Sequence, residues 1–270
     1  MRILMAAIPC VLAVLLGCSG GGPGNDTTAS PSGASSTSAS SETVHFEGNW
    51  VGTLTSDQEQ HSSTAILLVN GWGEFRLIAD GMQFVGWPRR TETSLAGTVT
   101  GIRAAGTSWN DGSTSGIFDI GGTITGNDLI DGTYHGAGDN GVFTLTWVTG
   151  DESRGEAIAG SWVQYDANEN IVASFQVDQA GMWVARLRGS HANGCQYSGE
   201  FDAWTNWYSY DLVPVEVSGC PLVDGVDLNG TYSGTAALLE LNHGTTNGPV
   251  LILALSNDQH KQMTLFLSPE

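Results

Sequence analysis

Positive charge is scarce in this chain: 9 Lys and Arg stand against 28 Asp and Glu in 270 residues, a net charge of −19 with His neutral. Nucleic acids and anionic lipid headgroups are bound through clustered cations, so a polyanion of this kind disfavours both as partners. Helix periodicity is missing as well. No glycine-free window keeps apolar residues at i, i+3, i+4 and i+7 over three turns, and helix is expected to be scarce. Catalytic signatures are also lacking. The Gly-x-Ser-x-Gly at Gly17–Gly21 falls in a leader-like region and cannot be a nucleophile elbow between strand and helix. Gly136-x-Gly138-x-x-Gly141 matches a dinucleotide pattern in letters, but Val142 onward reads as a strand, so these glycines are expected to form a hairpin turn. His45, His61, His135, His191, His243 and His260 show no metal-ligand spacing. The Asp128-x-x-Asp131 and Asp224-x-x-Asp227-x-Asn229 clusters lack a calcium-loop pattern and read as turns. No cofactor is called for.

What is present begins at the first residue. Met1-Arg2-Ile3 carries one positive charge, and Leu4 to Leu16 is an apolar run broken only by Pro9. At about 13 residues that run is too short to cross a hydrocarbon core, which needs roughly 20, and it reads as a signal h-region. It stops at Leu15-Leu16-Gly17-Cys18. These four residues resemble the lipobox of bacterial lipoproteins, in which a small residue precedes the cysteine that becomes the new N-terminus. The resemblance implies diacylglycerol on the Cys18 thiol and cleavage before it. By the same analogy Ser19, where an Asp would favour inner-membrane retention, points to the outer membrane.

From Ser19 to about Thr43 the chain is Gly, Ser, Thr, Pro and Ala with little charge. Such a composition buries too little apolar surface to offset chain entropy, so a flexible tether is expected, roughly 25–30 Å long as a coil. The expected organisation is a leader over 1–17, the lipidated cysteine and tether over 18–43, a first β-unit over 44–150 and a second over 151–270. Loss of the leader leaves eight basic residues against 28 acids, a net charge of −20. Cys10 departs with the leader and Cys18 takes lipid, which leaves Cys195 and Cys220 as a pair in a compartment that oxidises thiols. A bridge between them closes a loop worth roughly 3.5 kcal/mol in the chain-entropy model.

The body of the chain is rich in Gly, with short Val, Ile, Thr, Tyr, Phe and Trp segments between turn residues, and all-β structure with little helix is expected. Strands are expected over Phe46–Leu54, Thr64–Val69, Glu74–Ala79, Gln83–Trp87, Ser94–Ile102, Ile117–Ile124, Leu129–His135 and Val142–Val148. A second set covers Ile158–Tyr165, Ile171–Val177, Met182–Leu187, Gln196–Phe201, Trp207–Val217, Leu228–Ala237, Val250–Leu255 and Met263–Leu267. The halves echo each other. Phe46–Val51 answers Ile158–Val163, Gln83–Gly86 answers Gln196–Gly199, and Ile130–Gly136 answers Leu228–Gly234. A duplicated meander of about 110 residues follows, each copy avoiding exposed edges by closing into a small barrel or forming a sandwich. Gly48-x-Trp50 and Gly160-x-Trp162 resemble the first-strand motif of calycins, the lipocalin and avidin group of up-and-down barrels, and imply a Trp that plugs one barrel end.

One segment stands apart, Ala203–Tyr210, with Trp204, Trp207, Tyr208 and Tyr210 inside the loop that the disulfide would close. Four aromatics so close are hard to bury together, because alternate strand residues face opposite sides. They are candidate binding residues for a neutral glycan or an envelope protein, set against the alternative of a hairpin stabilised by its own aromatic pair. The sequence therefore reads as a lipid-anchored envelope protein with a non-catalytic binding or structural role. Its alternative is a secreted hydrolase that uses carboxylates on a polymer, with no pair selected among the 28 acids.

Overall fold

In the computed structural model residues 46–270 are described, apart from 58–59, 127, 149–153, 204–208 and 244–245. The first half contains β1 (Gly48–Ser56), β2 (His61–Val69), β3 (Phe75–Ala79), β4 (Met82–Gly86), β5 (Arg89–Arg90), β6 (Ser94–Arg103), β7 (Ser115–Thr125), β8 (Leu129–Gly136) and β9 (Asp139–Val148). The second contains β10 (Gly160–Tyr165), β11 (Ile171–Gln179), β12 (Val184–His191), β13 (Gln196–Ala203), β14 (Tyr210–Ser218), β15 (Gly230–His243), β16 (Thr246–Ser256) and β17 (Gln262–Pro269). No helix is present among the described residues.

Every strand expected from the sequence forms, and the two-residue β5, which pairs only with β6, is additional. Each half is an antiparallel up-and-down barrel of eight strands. In barrel 1 β4 pairs with β6 and β1 closes on β9; in barrel 2 β10 closes on β17. β15 and β16 run on as far as His243↔Thr246, past the turn expected after Ala237. The cause is tertiary: Leu239, on the outer side of β15, is buried against barrel 1 and keeps the strand extended.

Closure follows from alternation. Along β9 the inward Phe143 and Leu145 are buried while the outward Thr144 and Thr146 are exposed. Barrel 1 is filled by aromatic rings: Phe84 lies 5.1 Å from Phe118 and 5.0 Å from Tyr134, and Trp109 lies 4.7 Å from Phe118. Barrel 2 is filled by Phe175, Tyr197, Phe201, Tyr210 and a largely aliphatic remainder. Away from β2, β3, β15 and β16, whose outer faces are apolar, the outer rows are largely polar. Thr53, Thr144, Asp131 and Thr123 share one row on barrel 1, and Gln176, Arg188, Ser198 and Glu216 share one on barrel 2. A transmembrane barrel has the opposite pattern, with apolar residues toward lipid.

The first-strand echo is exact in geometry. Trp50 and Trp162 are buried, each indole N–H donates to the carbonyl four residues back, at Phe46 (3.0 Å) and Ile158 (2.8 Å), and Gly48 and Gly160 have φ of 131° and 144°. Gln83–Gly86 and Gln196–Gly199 fall on the fourth strand of each barrel, as expected. The third correspondence is corrected: Ile130–Gly136 lies on β8, the seventh strand of its barrel, whereas the Tyr232 segment lies on β15, the sixth. Gly-Thr-Tyr-x-Gly recurs because each tyrosine points inward near a barrel end and needs a partner for its hydroxyl. Those partners differ, Asp139 for Tyr134 and the Leu228 carbonyl for Tyr232.

One turn design closes three hairpins, at Asn70–Glu74, Asp166–Asn170 and Asn257–Lys261. In each the first side-chain oxygen accepts the N–H of the third and fifth residues, and the fourth residue is left-handed: Gly73, Glu169 and His260 at φ 79°, 63° and 55°. The Gly136–Gly141 pattern is also a hairpin turn, with Ala137 and Gly138 at positive φ between β8 and β9.

The barrels dock through the outer faces of β2 and β3 against β15 and β16. Ile66, Leu68 and Ile78 pack with Ala237, Leu239, Val250, Ile252 and Ala254 in a cluster separate from both barrel cores. This explains why β3 is buried on both faces. Polar ties flank the cluster. Gln83 Nε2 donates to Gln262 Oε1 (2.8 Å), the Met263 carbonyl (3.0 Å) and Thr264 Oγ1 (2.8 Å), and Gln262 donates to the Gly81 carbonyl (3.3 Å). Gly106 lies so close to Asp224 that a Cβ there would stand 2.1 Å from its carboxylate.

Candidate functional site

The Asn70–Glu74 turn carries barrel 1's contribution to a polar site at one end of this seam. Asn70 Oδ1 is committed to the turn, which leaves its amide nitrogen to donate to two carboxylates, Glu74 Oε2 at 3.3 Å and Asp211 Oδ1 at 2.8 Å. Because both oxygens bind one nitrogen, they lie within about 6 Å of each other. Glu74 also pairs with Arg76 at 2.8 Å, and Arg76, only 2% exposed, donates to Ser256 Oγ at 2.9 Å. A guanidinium in so dry a place requires a paired anion. Burial lowers its pKa, and Glu74 and Asp211 oppose that shift.

Asp211, the second residue of β14, pairs with Asp202 on β13. Burial raises the Asp211 carboxyl above the usual carboxylate range, the negative charges of Glu74 and Asp202 add to the shift, and hydrogen bonds from Asn70 and Trp72 oppose it. Trp72 is 65% exposed. An indole bound through its N–H and open on its faces is a platform of fixed orientation, suited to stacking on a sugar ring or a partner side chain.

The residues singled out from sequence are not all brought together here. Cys195 and Cys220 form a disulfide. It joins the turn before β13 to the end of β14, and Asn229 clasps it by accepting from the Cys220 N–H and donating to the Cys220 carbonyl. At the opposite end of β13 and β14 from the bridge, Ala203 pairs with Tyr210, roughly 25 Å away at strand rise. The expectation that Tyr210 offers a binding surface is corrected. It is 2% exposed, packs edge-on against Phe201 at 6.0 Å, and its hydroxyl donates to the Arg154 carbonyl at 3.0 Å, so it is a core residue and presents no binding surface. Trp204, Trp207 and Tyr208 lie outside the described residues, as does Cys18.

Sequence reasoning missed Asn70, Trp72, Glu74, Arg76, Asp202 and Asp211. Two signals for them existed. A Trp between two glycines in Asn70-Gly71-Trp72-Gly73 sits in a turn, where it has no core to enter. An Arg inside Phe75-Arg76-Leu77-Ile78-Ala79, a strand apolar on both faces, implies a second burial surface and a partner acid. Among the described residues no three His, Cys, Asp or Glu side chains are grouped to hold a metal ion.

No protein-family model matches the chain, and no curated protein matches it. A solved structure, that of a candidate outer membrane protein from Bacteroides fragilis, is similar at 10% sequence identity over 83% of this chain and 97% of that one, with a TM-score of 0.26. A likeness of that size says nothing about what this protein does.

Proposed function

We propose that the protein is a lipid-anchored component of the bacterial cell envelope, held at the outer membrane through diacylated Cys18 and a tether over 18–43, with a non-catalytic binding or structural role. One observation carries the reading: both barrels are filled with side chains, their apolar outer strands are spent on each other, and the remaining outer rows are largely polar, which favours neither entry into a bilayer nor enclosure of a ligand as a hollow calyx. Membrane attachment then falls to the lipid, and recognition falls to the outer surface. Trp72, oriented at the seam, is the aromatic contact this reading adds to Trp204, Trp207 and Tyr208, and the ligand is a neutral glycan or an envelope protein surface. Metabolic labelling with palmitate is expected to mark the wild type, and Cys18→Ala to lose both the label and membrane retention. A labelled or retained Cys18→Ala protein contradicts the anchor.

A second reading has one specific observation in its favour. Glu74 and Asp211 hold carboxyl oxygens within about 6 Å beside an exposed indole, and burial raises the Asp211 carboxyl above the usual carboxylate range. Hydrolysis of a polymer by this pair predicts turnover that Asp211→Asn abolishes. In the binding reading both carboxylates act as seam ties, and no turnover is found.

A further inference from the structure

Each barrel carries a shallow groove on its outer face, made in the same way. In barrel 2 the groove holds about 570 Å³ and runs over β11, β12 and β13 past Ser174, Gln176, Arg188, Ser190, Gln196 and Ser198. In barrel 1 it holds about 510 Å³ over β7, β8 and β9, with Asp131 as its charged residue. The shared device is a glycine facing a phenylalanine across the strands. A Cβ on Gly189 would stand 2.1 Å from the Phe175 ring, and one on Gly132 would stand 2.1 Å from the Phe143 ring. The inward ring fills the space of the missing side chain, and the sheet coils at the glycine, which leaves a dent outside.

The chemistry of the two grooves is opposite. Asp131 accepts from Thr144 Oγ1 at 2.8 Å. Arg188 has no ion pair or hydrogen bond among the described residues, and its neighbours across the strands, Gln176 and Ser198, are neutral. Arg186, one position along the same face, shows the contrast: its neighbours are Asp178 and Glu200, and it pairs with Glu200 at 3.3 Å. On a chain with 28 acids and 9 bases, a guanidinium whose directly opposed neighbours are a neutral amide and a hydroxyl is a vacant fork for one anionic oxygen pair. Glu270 lies at the edge of the groove, its backbone N–H committed to the Ser161 carbonyl at 3.1 Å, and it disfavours a polyanion there.

We propose that the barrel 2 groove binds a saccharide carrying a carboxylate. Arg188 takes the carboxylate side-on, while the hydroxyls of Ser174, Ser190 and Ser198 and the Gln196 amide exchange hydrogen bonds with ring hydroxyls. Three strands span roughly 10–15 Å, long enough for a short oligosaccharide. The proposal rests neither on the lipid anchor nor on the aromatic residues at the seam.

The test is calorimetric titration of the full-length protein with a saccharide trimer that carries a single galacturonic acid residue and with its neutral methyl ester. The acid trimer is expected to bind at least tenfold more tightly than the ester. Arg188→Gln should lose that margin, Arg188→Lys should retain part of it, and Asp131→Asn in the other groove should change nothing. Arg188 is exposed, so both of its variants should keep the circular dichroism of the parent. Equal binding of acid and ester, no binding at millimolar trimer, an unaltered Arg188→Gln, or an Asp131→Asn protein altered as much as Arg188→Gln would each overturn the proposal. Full displacement of the trimer by equimolar inorganic phosphate would also overturn it, by reducing the groove to a simple anion contact.

Discussion

The two barrels begin alike and end differently. Both start with a left-handed glycine, a buried tryptophan two residues on, and an indole bond to the carbonyl four residues back. At the opposite end barrel 1 uses a buried polar knot, in which Asp139 accepts from Ser56 Oγ at 2.8 Å and Tyr134 Oη at 3.1 Å. Barrel 2 uses the Cys195–Cys220 bridge and the Asn229 clasp around it. The start of the first strand sets how a barrel is plugged, while the far end only has to be held shut, and hydrogen bonds or a covalent bond serve equally.

The most severe way to break that comparison is at the shared end. Trp50→Ala and Trp162→Ala are each expected to cost about 3–5 kcal/mol in urea unfolding, within about 1 kcal/mol of each other. A cost confined to one of them would mean that the two plugs are not equivalent. At the differing ends the effects should separate. Cys195→Ser with Cys220→Ser is expected to cost roughly 3.5 kcal/mol and to raise hydrogen exchange chiefly in β10–β17. Asp139→Asn, which replaces one of the two oxygens that accept from Ser56 and Tyr134 with a donor, is expected to cost about 1–3 kcal/mol and to raise exchange chiefly in β1–β9. Exchange that rises equally in both barrels in either variant would show the seam, not the barrel, to be the cooperative unit.

A gentler probe is pH. The Asp211 carboxyl is raised in the folded protein, mainly by burial, so its ionised form weakens the fold at neutral pH. That cost is present above the folded pKa and is relieved as pH falls through it toward the ordinary carboxylate value. Asp211→Asn should therefore be neutral or stabilising at pH 7 and should flatten the stability profile on the acid side, as melting temperatures across pH 4–7 would show. A marked loss of stability at pH 7 would mean that the charge is needed at the seam. The smallest effect concerns the shared turn. Glu169 and His260 occupy the left-handed position that Gly73 fills in barrel 1, so Glu169→Gly and His260→Gly should each change stability by no more than about 1 kcal/mol, with relieved strain offset by added chain entropy.

Much of this fold was legible in residues that act locally. Alternation such as Phe143-Thr144-Leu145-Thr146 specifies a strand with an inside and an outside, and the Gly-x-Trp pair marks where each barrel begins. The single cysteine pair left in the body of the chain specifies its own bridge. The seam was not legible, because an apolar strand such as β3 looks the same whether its second face meets its own barrel or a neighbour. The candidate site shared that difficulty: Asn70 and Asp211 are 141 residues apart and meet only through docking. Tyr210 misled for a related reason. Aromatic density in the sequence shows how much ring must be placed, and only the register Ala203↔Tyr210 shows which ring turns inward.

The central claim is that the body of the protein is a docked pair of filled, polar-faced barrels that does not enter a bilayer by itself. The direct measurement is flotation of residues 44–270 alone with vesicles of neutral and of anionic phospholipid. The account predicts a monodisperse protein, soluble without detergent, that stays at the bottom of the gradient with both kinds of vesicle. Flotation with either vesicle would contradict it.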